Sequence, residues 1–410
     1  MSAADIAWIM TATALVLFMT LPGLSLFYGG LVRARNFLNV LMQCFAIAAA
    51  VSVAWIVAGY SIAFGGEGQF WGGLGKMFLN GVPLLDEVGG DNELLVALFQ
   101  MTFAIITPAL IIGATVERVK LGFIVAFSVV WMLLVYAPVA HMIWGGGLLS
   151  SDSVIGFVNG IGVADLAGGL VVHETAGIAA LVLVIMLGAR TGFPTQMKPP
   201  HQPGLVMVGA AMLWVGWFGF NGGSDLSASS EGVSAMMVTH ISAATACCTW
   251  VIWEQIKGGK ASLVGIATGM VAGLASITPA SGHVGPIGAL IIGGVAGILC
   301  QEMIGVIKNM CKLDDSLDVF AVHGIGGIWG ALALPFLATG ALGGAGLGGV
   351  SVMDQFLVQL IGLAVVGIFT AVSTFAIAFV LKMIFGMRAE GGDEEGMDRL
   401  SQGESGYDLS

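Results

Sequence analysis

Uninterrupted apolar runs long enough to cross a bilayer constrain this chain more than any other feature. IAWIMTATALVLFMTLPGLSLFY at 6–28 and FLNVLMQCFAIAAAVSVAWIVAGY at 37–60 each exceed the ~20 residues a helix needs to traverse the hydrocarbon core. Lipid offers no partner for backbone N–H and C=O groups, so such runs can only be helices that satisfy their own hydrogen bonds. The composition agrees: 57% of residues are hydrophobic and 10% charged, with mean hydropathy +0.96, against roughly 25% charged in a soluble domain. The chain opens MSAADIAW, with an acid where a secretory leader would carry basic residues, and no cleavable leader is expected. With a net charge of -11, no nucleic-acid partner is expected.

The expected fold class is an all-α integral membrane protein of eleven transmembrane helices, near 4–28, 37–64, 94–115, 121–144, 167–188, 203–224, 233–256, 261–278, 284–306, 319–338 and 355–386. Lys and Arg near span ends are retained on the cytoplasmic side, and they fall after every odd span: Arg33 and Arg35, Arg118 and Lys120, Arg190 and Lys198, Lys257 and Lys260, Lys308 and Lys312, then Lys382, Arg388 and Arg399. Only Lys76 lies on the other side. One miscounted helix would scramble this alternation, so the N-terminus is expected outside and the C-terminus inside. The outer loops then hold Glu67, Asp86, Glu87, Asp91, Glu93, Asp152, Asp165, Asp225 and Glu231, which is ordinary solubilising charge or an anionic vestibule that concentrates cations.

VVHETAGIAA at 171–180 returns as AVHGIGGIWGA at 321–331, sharing V-H-x-x-x-G-I. An odd number of spans separates equivalent helices, so the second half enters from the opposite side, an inverted 5+5 helix repeat plus a final helix. The organisation expected is a transmembrane domain over 1–386, with halves at about 4–188 and 203–338 and a last helix at 355–386, followed by a tail at 387–410. Inverted repeats place transport sites near the midplane, at the repeat interface. The 63 glycines suit close helix packing in lipid; GIGGIWG and LGGAGLGG follow no strand and lack the Lys of a phosphate loop. Cys44, Cys247, Cys248, Cys300 and Cys311 form no C-x-x-C pair and are read as small core residues. The tail GMRAEGGDEEGMDRLSQGESGYDLS is read from its composition as a solvated segment, and Asp314, Asp315 and Asp318 as caps of span 10 or contacts of that tail.

Ionisable groups inside spans mark ion pathways and proton relays. His173 and His323 are related by the repeat and are expected to line one path, where imidazoles can donate and accept together. A single histidine on an apolar helix is more often a satisfied packing residue, and His141, His201, His240 and His283 are read so. Phe99, Phe103, Trp144, Trp217 and Phe220 cluster toward span ends. Some belong to the interfacial belt, yet ring faces can also hold a small cation, with Ser224, one turn after Phe220, as an acceptor.

With LFYGGLVR, FQMTFAIIT, AHMIWGGGLL, DLAGGLVVH, GWFGFNGGS, ITPASG and DVFAVHGIGGIWG in order, the chain resembles the ammonium transporter family (Amt/Mep/Rh), on its bacterial Amt side, over nearly its whole length. The resemblance implies a homotrimer in the bacterial inner membrane, each copy with its own pore, no enzymatic activity and no cofactor or metal. It implies recruitment of ammonium by Phe103, Trp144 and Ser224, with Asp165 and Ala167 nearby. Phe103 and Phe220 would be the phenylalanine gate and His173 and His323 the twin histidines; Phe99, Gln100, Trp217 and Thr278 would be further pore or vestibule positions. Transport would be electrogenic, with ammonium deprotonated, ammonia crossing and the proton relayed separately; methylammonium stays open as a second substrate.

Two departures stand out. Glu174 replaces an uncharged residue and is expected to face a neighbouring helix as a structural carboxyl rather than a relay. Gln402, Gly403 and Glu404 stand where the family tail usually has His-Gly-Glu, which bears on association with a cytoplasmic PII signalling protein. Three other functions compete: a membrane haem protein with bis-histidine ligation, a transition-metal transporter using the histidines and Glu174, and an ammonium sensor. Sensors carry a fused signalling domain, and residues 387–410 are too few to supply one.

Overall fold

A computed structural model describes residues 1–153 and 160–407. Eleven helices among them are long and apolar enough to cross a membrane: α1 (Ala3–Leu31), α2 (Ala34–Phe64), α3 (Glu93–Thr115), α4 (Leu121–Trp144), α5 (Gly169–Leu187), α6 (Pro203–Gly222), α7 (Ser230–Ile256), α8 (Leu263–Ala280), α9 (Pro286–Met310), α10 (Phe320–Leu337) and α11 (Val352–Phe385). The count and order are those read from the sequence, and the ends move by a few residues. No strand occurs among the described residues; Val119 and Arg388 form an isolated bridge.

The ends follow local chemistry. Ser2, Ser229, Ser262 and Ser351 each accept a backbone N–H at the start of α1, α7, α8 and α11, satisfying groups a helix leaves orphaned. Pro203 and Pro286 open α6 and α9, where a missing N–H costs nothing. Pro22 inside α1 is absorbed by a wider turn at Met19–Leu24. In the packing, α7 lies against α8 and α9, α1 against α6, and α5 between α3, α10 and α11.

At the face holding the C-terminus, charge is buried in a network. Glu117 pairs with Arg33 and Arg190, and Asp314 with Arg190 and Arg118. Burial alone would raise the Glu117 carboxyl, but Arg190 and Arg33 beside it hold it below the usual range. The tail corrects the expectation of a solvated segment. Met387, Met397 and Asp398 are buried, and the Asp398 carboxylate accepts the N–H groups of Leu38 and Asn39 at 3.1 and 2.8 Å. Asn36, at the N-cap of that stretch, makes no side-chain cap bond, so the tail caps α2 from outside it. Tyr407 completes the contact, its hydroxyl 3.0 Å from His201 Nε2 and its ring beside Phe37.

The cysteine reading is also corrected. Cys44 and Cys300 are buried, but Cys248 and Cys311 are exposed, because Cys248 points off the outward side of α7 and Cys311 follows the end of α9. His141 is a buried packing histidine, bonded to the carbonyls of Ala63 and Gly68. His240 differs: it is exposed on α7 with its ring beside Trp214 and Phe218.

Candidate functional site

Each repeated histidine sits in a widened helical turn, His173 in Gly169–Glu174 and His323 in Phe320–Gly324, the kind of irregularity that helices retain at functional positions. A carboxylate eight residues earlier holds each turn. Asp165 accepts the N–H groups of Gly168, Gly169, Leu170 and Val171 at 2.9, 2.5, 2.8 and 3.1 Å. Asp315 accepts those of Val319 and Phe320 at 3.0 and 2.8 Å. Of the three acids before α10, Asp315 is therefore the cap; Asp314 joins the buried network and Asp318 pairs with Lys308. Burial pushes the Asp165 carboxyl above its ordinary range, against the pull of its four donors.

The glycines of V-H-x-x-x-G explain how the two turns meet. A Cβ on Gly177 would lie 2.4 Å from Gly324 Cα, and one on Gly327 would lie 2.5 Å from the Gly169 carbonyl and 3.0 Å from His173 Cβ. Only hydrogen fits at these crossings. The imidazoles consequently meet edge to edge, centroids 5.2 Å apart and planes 17° from parallel, with Nδ1 to Nδ1 at 3.2 Å. One Nδ1 must donate and the other accept, so the pair shares one proton. Trp217 lies near-parallel to His173 with centroids 5.4 Å apart and donates to Thr278 Oγ1 at 2.9 Å.

Toward the face holding the N-terminus, the aromatic column continues. Phe220 lies 6.1 Å from His173 and stacks on Phe103 at 4.2 Å and 23°. Trp144 stands edge-on to Phe103 at 6.1 Å, and Phe99 packs on its other side at 5.1 Å. Phe103 and Phe220 are 1% and 0% exposed, so their stack seals the column, whereas Trp144 is partly exposed beyond it. Trp144 Nε1 donates to the Asp165 carbonyl at 2.7 Å, and Ser224 Oγ donates to the Phe220 carbonyl at 2.7 Å. That bond leaves the Ser224 lone pairs as acceptors. Asp165 thus meets the mouth through its carbonyl, while its carboxylate is occupied by α5. Ala167 is fully buried in the same loop. Gln100 follows Phe99 with Oε1 buried and unpartnered, and no bond joins it to the other site residues.

On the opposite side a cavity of about 330 Å³ reaches His323, with Val322, Tyr28, Arg190, Lys308 and Asp318 on its wall. The histidine pair therefore separates an aromatic plug from a cavity whose wall mixes apolar residues with Arg190, Lys308 and Asp318. The pair leaves no slot for haem: a porphyrin would have to lie between rings whose Nδ1 atoms are in hydrogen-bond contact.

The Ammonium Transporter Family profile matches residues 7–407. The chain belongs to the ammonium transporter family. The ammonium transporter of Aquifex aeolicus is 40% identical over 98% of this chain and 93% of its own. The ammonium transporter Amt1 of Archaeoglobus fulgidus is 41% identical over 98% and 99%. Among solved structures, Candida albicans Mep2 superposes with TM-score 0.84 at 32% identity, over 95% of this chain and 87% of that one. A sensor Amt protein superposes with TM-score 0.87 at 27% identity, over 96% and 97%. The protein is a multi-pass transporter of ammonium in the cell membrane, not an enzyme.

Proposed function

We propose that transport is electrogenic and proceeds by deprotonation. Ammonium is held between the faces of Phe103 and Trp144 by cation–π attraction, worth ~1–2 kcal/mol when partly desolvated, with the Ser224 hydroxyl accepting one N–H. A bare cation entering the dry aromatic column would lose its hydration without compensation. Ammonium therefore gives up a proton at the mouth; ammonia slips past the Phe103–Phe220 gate and along His173 and His323. The proton passes to water at the mouth and enters the pair at His173 Nε2, which has no partner within the protein; His173 then hands its Nδ1 proton to His323 across the Nδ1–Nδ1 bond, and His323 releases its Nε2 proton inward. Potassium matches ammonium in charge and approximate size but has no proton to lose, so it is excluded.

The observation that carries this reading is the unbroken succession Trp144, Phe103, Phe220, His173, His323, with neighbouring rings between 4.2 and 6.1 Å apart. The face holding the N-terminus is read as outside, from the Lys and Arg alternation, and copies as a homotrimer. Surface left uncovered on α7 and α9, such as Met237 and Leu290, is available for neighbouring copies. The docked tail offers a cytoplasmic surface to a PII protein.

Current measured on proteoliposomes tests the mechanism. Ammonium gradients should drive current while equal potassium gradients drive none, and His173→Ala should lower ammonium current at least about tenfold, the effect of ~1.4 kcal/mol on the barrier. Comparable potassium current through the wild type would overturn the mechanism. A silent wild type that still binds ammonium would favour sensing.

A further inference from the structure

Among the described residues, the cavity on the inner side of the histidine pair has one carboxylate on its wall, Asp318, and that carboxylate is taken. The ammonium group of Lys308 lies 2.5 Å from Asp318 Oδ1 and donates to the Ser316 carbonyl at 3.3 Å. The two side chains are 22% and 21% exposed, and they line the same cavity as His323. The transport path described above gives this pair no part.

The backbone commits both residues to their place. Lys308 stands in the widened last turn of α9, Val306–Met310, where a cation also suits the negative end of the helix. Asp318 adopts φ of +64°, a left-handed conformation that aspartate tolerates better than most residues. Its carbonyl accepts the Val322 N–H at 2.9 Å, so the residue that leads into α10 also turns its carboxylate to the end of α9. Arg190, on the same wall, is spent on Glu117 and Asp314. Asp318 is therefore answered by Lys308 and not by the buried network.

A lysine side chain ends in the same chemical group as the cargo, a positively charged nitrogen that only donates hydrogen bonds. We propose that Lys308 is a built-in stand-in for ammonium: it fills the carboxylate at which the ion would otherwise stay, and so gives the two mouths unequal affinity. The inference rests on the transport reading. Ammonia that has passed His323 recovers a proton in this cavity, its lone pair taking the one that His323 releases from Nε2. The ammonium so formed meets a carboxylate already neutralised and two lysines on the wall, Lys308 and Lys198, and it leaves. The outer mouth is built the other way. Trp144, Phe103 and the Ser224 hydroxyl favour a cation there, and Lys76, on that face, is paired with Glu93. Ammonium on the cytoplasmic side consequently competes weakly for the path.

Flux of isotope-labelled ammonium through proteoliposomes of uniform orientation tests this, started from each face in turn and corrected for leak through protein-free vesicles. Flux reads transport whether or not charge moves, so failure of the electrogenic mechanism, which is read from current, leaves this test standing. The wild type should half-saturate at a concentration at least about tenfold higher from the cytoplasmic face than from the outer face, the effect of ~1.4 kcal/mol in affinity. Lys308→Met bares Asp318 and should narrow that ratio about threefold, within the worth of a half-exposed ion pair. Lys308→Arg keeps the charge and should keep the ratio, and adding Asp318→Asn to Lys308→Met should restore it. Should Lys308→Met not assemble, Lys308→Gln, which still has a donor for the Ser316 carbonyl, is read the same way. Equal half-saturation from both faces of the wild type, a ratio unmoved by removing the lysine charge, or one not restored by Asp318→Asn would overturn the proposal.

Discussion

Glu174 shows how much side-chain direction matters at the residue scale. It follows His173 directly, yet it turns toward α11, where a Cβ on Gly367 would stand 3.2 Å from its Oε1. The side chain is 2% exposed and Oε2 has no partner. A charge left unpaired there would be very costly, so a neutral acid is the form such a position tolerates. Glu174→Gln keeps shape and polarity without charge and should leave ammonium current nearly unchanged in proteoliposomes. Loss of current from a fully assembled Gln variant would make the carboxyl part of the proton path instead. His173 and His323 differ from Glu174 because their Nδ1 atoms meet each other, although His173 Nε2, like Glu174 Oε2, is buried without a partner.

At the scale of elements, the site depends on how closely α5 and α10 approach. Gly327→Val would drive a side chain into the Gly169 carbonyl and His173 Cβ. Overpacking of this kind typically costs ~1–3 kcal/mol, and here it also parts the imidazoles. We expect a lowered melting temperature in detergent together with a larger loss of current than stability alone explains. Unchanged current would show that the pair tolerates separation. The tail is a second such element: Asp398 caps α2 as a residue of that helix's own N-terminus ordinarily would. Asp398→Ala should cost ~1 kcal/mol, the usual worth of an N-cap, and release the segment around Arg399 to trypsin. Cleavage there at the wild-type rate would mean that Tyr407 and Met397 hold the tail unaided.

For the whole molecule, the buried charges at the face read as cytoplasmic give stability two opposing responses to pH. Glu117 and Asp314 are held below their usual values, Asp314 by Arg190 and Arg118 despite burial, so their contribution is present above those values and is lost as pH falls. Asp315 runs the other way. Burial, with Asp318 nearby, pushes its carboxyl from 3.8 to about 6, so the folded state is favoured most below 3.8 and loses that advantage as pH rises to about 6. The rise corresponds to about 3 kcal/mol. Thermal unfolding in detergent should therefore show Asp315→Asn gaining stability relative to the wild type as pH rises across that window, while keeping one acceptor for the α10 N–H groups. A difference that stayed constant across the window would mean that Asp315 does not titrate there.

Read alone, the sequence determined the membrane and the eleven helices. Hydropathy sums over contiguous residues, and lipid permits such runs no other backbone structure. It also marked His173 and His323, since two like motifs about 150 residues apart leave a trace independent of packing, and the family likeness supplied the aromatic positions. Only the tertiary structure decided what those residues touch. Phe103, Trp144, His173, Phe220, Thr278 and His323 come from six different helices, and no local pattern sets the distance between them. The sequence could mark Asp165 as an acid near the mouth, but not that four amide groups occupy its carboxylate. Nor could composition tell that an acidic, glycine-rich tail would dock, because the N–H groups that bind Asp398 are exposed by the start of a helix 360 residues away. A helix end, a buried charge or a glycine crossing has its partner fixed by the packing of distant segments, and that information is absent from any short stretch of chain.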